Sequence, residues 1–219
     1  MIFGIDDWHR RITGHCGLVL LFLSAPPADA HPHSWIDVRV EVMLDSNGAI
    51  SGLELYWLFD EWYTVYIAEE FTESALAPTE YLNSLARQNL ANLAEYDYFT
   101  KVMINGDPVG IKDVTTFDTG LSDERLWLTF DVLLDRPVDP QAQTVSYKVY
   151  DPTYYIEILH IEENPVTFSG AGAHDCAAEV VDANPGFEAV ALASALDITQ
   201  TGGDHLGELF AQTVKVSCR

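Results

Sequence analysis

Between Ser34 and Leu44 the chain alternates. Ile36, Val38, Val40 and Val42 fall on one side, and Asp37, Arg39 and Glu41 on the other. A period of two is that of a half-buried strand. The turn residues Asp45-Ser46-Asn47-Gly48 follow, then a second strand pattern over 49–59, so the pair reads as a hairpin. Residues 60–71 fit either helix or strand, and helix is the reading taken. Pro78 opens a clearer helix over about 79–95, with Leu82, Leu85, Ala86, Asn89, Leu90 and Leu93 on one face. Over 97–111, two strands are expected around the turn pair Asn105-Gly106. Further strands are expected over 125–134, 144–150, 154–161, 164–170 and 177–182. Short helices follow over 187–196 and 204–213, then a closing strand from Thr213. Together these predict an α+β fold: a mostly antiparallel, sandwich-like β structure with helical insertions, in a single domain over 31–219.

The first thirty residues are set apart from that fold. Arg10 and Arg11 precede a short apolar run, residues 17–25, and Ala28-Asp29-Ala30 has the small-x-small form of a cleavage site. The run is too short to span a bilayer. Residues 1–30 therefore read as a signal peptide cleaved after Ala30, with His31 as the new N-terminus and the periplasm as destination.

Charge narrows the partners. Asp and Glu number 34 against 11 Lys and Arg, a formal charge of −23. Phosphate contacts need clustered Lys and Arg, so neither nucleic acid nor an anionic membrane is expected. Cleavage would remove Cys16 and leave Cys176 and Cys218. An even pair in an exported chain reads as a disulfide; two thiolates on a metal are the alternative.

Histidine placement raises the main chemical question. His31 and His33 flank Pro32, and in an extended segment both project to one side and can converge on one ion. Cleavage after Ala30 would add the amine of His31 as a ligand. Such a set suits copper as a histidine brace, or Zn²⁺ once a further histidine or carboxylate joins. The plainer reading is a pair of surface histidines at a strand start. His160 shares parity with Ile156 and Ile158, so it is either a further ligand or a hydrogen-bonded core residue. Asp151 ends a strand in a tight Asp-Pro turn ringed by tyrosines; it is a candidate ligand or the acceptor of an Asx-turn. His174 and His205 read as surface residues, with Asp204 as a helix cap. No spacing selects a carboxylate pair for glycoside hydrolysis, and there is no G-x-S-x-G, P-loop, H-E-x-x-H or C-x-x-C.

Four segments in order, "AHPHSWIDVRVEV" (30–42), "WLFDEWY" (57–63), "NLANLAEYDYFT" (89–100) and "VYDPTYY" (149–155), resemble the DUF-1007 family of bacterial periplasmic proteins. The resemblance covers nearly the whole of 31–219. It implies a non-enzymatic periplasmic component that delivers or buffers a transition metal for an inner-membrane metal transporter. The metal implied is Zn²⁺, with Ni²⁺ or Cu²⁺ as alternatives. His31 and His33 match the family's opening His-x-His, Asp60 and Glu61 its Phe-Asp-Glu, and Asp151 its Asp-Pro-Thr-Tyr-Tyr. The chain lacks the long histidine-rich loop of many periplasmic zinc carriers. The expected metal ligands are accordingly His31 and His33, completed by His160, Glu61 or Asp151. A docking module without metal, and a copper enzyme built on His31, are the competing expectations.

Overall fold

The computed structural model describes residues 32–72, 74–196 and 200–219. The expected leader, its cleavage point and His31 lie outside the described residues. Strand β1 (Ser34–Leu44) and β2 (Ile50–Phe59) form the expected antiparallel hairpin. The turn closes because Asp45 Oδ1 accepts hydrogen bonds from the amides of Asn47 and Ala49, at 2.8 and 3.0 Å. Gly48 there takes φ +79°, which costs glycine little and any other residue more. The predicted alternation is borne out: Val38, Val40 and Val42 are fully buried. Each contributes about 1.5–3 kcal/mol over an exposed position.

Helix α1 (Glu61–Thr72) follows directly, and α2 (Pro78–Leu93) starts at the expected proline. Ala86 and Leu90 on α2 are buried, while Leu82, Leu85 and Leu93 pack against the core. The remaining strands are β3 (Thr100–Ile104), β4 (Asp107–Pro108), β5 (Phe117–Ser122), β6 (Arg125–Val138), β7 (Val145–Val149), β8 (Ile156–His160), β9 (Val166–Ser169), β10 (Cys176–Val181) and β11 (Thr213–Cys218). Helices α3 (Phe187–Ala195) and α4 (Leu206–Phe210) lie between β10 and β11. The fold class is thus α+β, as expected.

Two sheets face each other across one core. One runs β5-β6-β2-β1-β8, with β9 also on β1; the other runs β10-β11-β7-β3-β4. Pairing is antiparallel except on the far edge of β1. There β8 pairs in parallel with Ser34–Val38, and β9 in parallel with Val40–Met43. Rings from β2, β6 and the segment before β3 pack in the centre. Trp57 meets Phe130 edge-on at 5.0 Å and lies over Phe99 at 6.2 Å.

Three local expectations need correction. β5 went unread, because its sequence Phe-Asp-Thr-Gly-Leu-Ser has no apolar alternation; its pairing with β6 makes it a strand. The strand expected from Asp97 begins at Thr100. Asp97, Tyr98 and Phe99 instead take φ of 50, 53 and 57°, a left-handed run that ordinarily disfavours L-residues. It is held by burial of Tyr98, whose Oη accepts from the Val114 amide at 3.0 Å. Asp204 is not the α4 cap; His205 occupies that position, with no capping side-chain bond.

Cys176 and Cys218 face each other across the β10–β11 ladder and are joined as a disulfide. The cross-link removes the two-thiolate metal alternative. Its loop spans 42 residues, worth about 4 kcal/mol in the chain-entropy account.

Candidate functional site

The parallel β1–β8 ladder decides which candidate ligands meet. The His33 amide donates to Tyr155 O at 2.9 Å, just before the ladder begins at Ser34 and Ile156. His160 ends the same ladder, opposite Val38. Five residues of β8 separate the two levels, about 16 Å at the rise of a strand. His33 and His160 therefore sit at opposite ends of one ladder.

His160 is walled between the sheets. Val38, its ladder partner, is fully buried, and the imidazole lies 6.0 Å from the ring of Tyr147 on the opposing sheet. Gln212 orients it. Gln212 Nε2 donates to Asp182 Oδ1 at 2.8 Å, which fixes the amide, so its Oε1 is the atom facing His160. That oxygen accepts from the His160 backbone amide at 2.8 Å and lies 3.0 Å from Nδ1. An amide oxygen only accepts, so the neutral ring carries its proton on Nδ1. Burial lowers the His160 pKa from its ordinary value, and the Gln212 contact opposes this in part. Nε2 is buried with no hydrogen-bond partner among the described residues, as is the Tyr147 hydroxyl beside it. Burial also raises the pKa of that phenol. The core reading of His160 thus fits its surroundings. Neither Tyr147 nor Gln212 was singled out from sequence, because each meets His160 only through sheet packing or a loop.

The His33 end is built differently. The His33 ring packs at 4.9 Å against Tyr155, which is 40% exposed. Asp60 ties this end together. Its Oδ2 accepts from Ser34 Oγ at 2.7 Å and the Trp35 amide at 2.9 Å, and its Oδ1 caps α1 through the Tyr63 amide at 2.8 Å. Burial alone would raise the Asp60 pKa. The hydrogen bonds from Ser34 and from the amides of Trp35, Tyr63 and Trp62 outweigh it, and the carboxyl lies below its ordinary value. Glu61, next in sequence, is exposed at the first position of α1.

Asp151 holds the turn into β8. Only 5% exposed, its carboxylate accepts from the Thr153 amide and hydroxyl, both at 2.9 Å, and from the Ile156 amide at 3.0 Å. That is the Asx-turn geometry weighed from sequence, and it occupies both carboxylate oxygens. Among the described residues, no three His, Cys, Asp or Glu side chains converge to hold a metal. His174 is exposed, as expected, 3.3 Å from the Asp175 carboxylate.

The fold and this site define a single two-sheet α+β domain with a histidine-bearing, aromatic-lined end. The chain belongs to the family described as "Protein of unknown function (DUF1007)", which matches residues 16–218. It is also similar to a protein of Haemophilus influenzae (strain ATCC 51907 / DSM 11121 / KW20 / Rd) named "Uncharacterized protein". The two are 25% identical over 198 residues, covering 86% of this chain and 91% of that protein.

Proposed function

We propose that this is an exported, non-enzymatic protein that binds a transition metal, Zn²⁺ before Ni²⁺ or Cu²⁺, and passes it to an inner-membrane metal transporter. The observation that supports this is the seating of His33. It is the second member of the His-Pro-His opening, and both its backbone and its ring are placed against Tyr155 at the rim of the sheet. A histidine so placed needs only His31 and the chain's amine, or a donor from a partner, to complete a site. Glu61, next to Asp60 in sequence, is exposed. Few protein ligands and an open rim suit exchange of cargo rather than storage.

Calorimetry with Zn²⁺, Ni²⁺ and Cu²⁺ tests the reading. His33→Ala is expected to weaken binding at least about tenfold, a difference of about 1.4 kcal/mol. Binding should also fade below about pH 6, as imidazoles protonate. Unchanged affinity in His33→Ala removes His33 from the site.

A second reading has its own support. Trp62 is 81% exposed and Trp35 43% exposed, and Asp60 connects their segments. An aromatic rim of this kind suits docking to another protein. Protein that stays metal-free when offered all three ions favours docking over cargo binding.

A further inference from the structure

Near the His33 end a half-open cavity of about 240 Å³ lies between the inner face of the β1-containing sheet and α2. Ile36 and Leu128 are at its base, Phe59 and Phe99 in its walls, and Asn89 and Asn92 on the helix above. Protein interiors are otherwise packed about as densely as organic crystals. An apolar cavity of about 150 Å³ already admits benzene, so this one has room for a ring and a small substituent.

We infer that this cavity binds a neutral, ring-sized organic molecule bearing one amide or carbonyl group. Three observations carry the inference. None of the lining residues is charged, in a chain whose formal charge is −23. A charged ligand would lose part of its hydration there without gaining a charged partner, which is unfavourable.

The second observation is the carboxamide pair. Asn89 and Asn92 are one helical turn apart and both border the cavity. Asn89 stands on a helix face otherwise made of Leu82, Leu85, Ala86, Leu90 and Leu93. Asparagine is a weaker helix former than those residues, and packing alone would be served by leucine. Among the described residues the Asn89 side chain makes one hydrogen bond, a long 3.5 Å contact from Nδ2 to Tyr63 Oη. Donor and acceptor capacity is left over, and an amide or carbonyl is its complement.

The third observation is Trp57. It borders the cavity, and its indole N–H is buried with no acceptor among the described residues. A wall that includes such a group is not optimised as sealed core. Among the described residues no histidine, cysteine or carboxylate borders the cavity, so the test of this site needs no metal.

The test uses the full chain with its disulfide intact and no metal added. Benzamide, benzoate and toluene are titrated and followed by amide chemical shifts of residues around the cavity. Benzamide is expected to bind at least about tenfold more tightly than benzoate, because only the neutral probe enters without an unpaired charge. Asn89→Leu should weaken benzamide by about tenfold and leave toluene within about twofold. Leu93→Trp, which fills the cavity from α2, should abolish binding of both while circular dichroism shows the fold retained. Absence of binding by benzamide and toluene overturns the proposal. So does equal binding of benzoate, persistence of benzamide binding in Leu93→Trp, or binding confined to an apolar peptide.

Discussion

Two histidines mark the two ends of one parallel ladder, each beside a tyrosine ring, and their further surroundings differ. His160 lies between the sheets, with its Nδ1 proton directed at Gln212 and its ring beside Tyr147. His33 lies where the sheet opens, against a half-exposed tyrosine and next to the carboxylate that ties β1 to α1. Burial lowers the pKa of the first, whereas the ring of the second packs on Tyr155. The same side chain is thus an internal strut at one end and, in the function proposed, a metal ligand at the other. What separates the two roles is the packing of the second sheet.

That contrast can be broken or sharpened by mutation. The largest effect is expected at Asp151, which builds the turn into the His33 end. Asp151→Ala strips acceptors from two backbone amides and a hydroxyl, at about 1–3 kcal/mol for each buried group left unpaired. A loss of about 3 kcal/mol is expected by urea denaturation. A loss below about 1 kcal/mol would mean that the turn does not depend on its carboxylate.

Asp60→Ala should come next, at about 2 kcal/mol, since it removes an N-cap together with the clamp on Ser34 and Trp35. Its lowered pKa adds a sign. The stabilisation from the Asp60 carboxylate is complete above the ordinary Asp value near 3.8 and is lost as pH falls through the lower folded value. Acid melts of Asp60→Asn should lack that part of the fall.

His160 should show itself at milder acidity. Its folded pKa is lowered, so the unfolded chain takes up the proton first. Stability from the neutral ring is complete above the ordinary value near 6.5 and declines as pH falls from there toward the lower folded value. His160→Phe should flatten this window while keeping the backbone bond to Gln212. A slope identical to that of the parent would place the titrating group elsewhere. The smallest effect on stability is expected for His33→Ala, within about 0.5 kcal/mol. A chain that loses metal affinity there yet melts unchanged would sharpen the contrast most.

Much of the fold was legible because its signals are local. The alternation in β1, the Asp-Ser-Asn-Gly turn and the Pro78 helix start each lie within a dozen residues. Even the parity of His160 with Ile158 was readable, and it pointed inward. What could not be read was long-range placement. Nothing near His33 shows that its amide bonds Tyr155, or that five residues separate that level from His160. β5 was hidden for the same reason, as an edge strand whose identity comes from β6. The left-handed run at Asp97–Phe99 was hidden too, since Tyr98 is held there by its buried ring and a distant amide. Of the candidate ligands, Asp151 carried its structural role in its own Asp-Pro-Thr motif, whereas Gln212 and Tyr147 had no local signal.

The parallel seam on β1 has a consequence for how the chain is made. β1 is among the first segments synthesised, yet its partners β8 and β9 begin at Ile156 and Val166. At roughly 5–20 residues per second, the nascent chain carries this valine-rich strand with one edge open for roughly ten seconds. Only the β2 hairpin covers it during that interval. Pairing of β1 with β8 and β9 is a distant contact, and distant contacts slow folding. For that interval the open edge of β1 is an aggregation hazard.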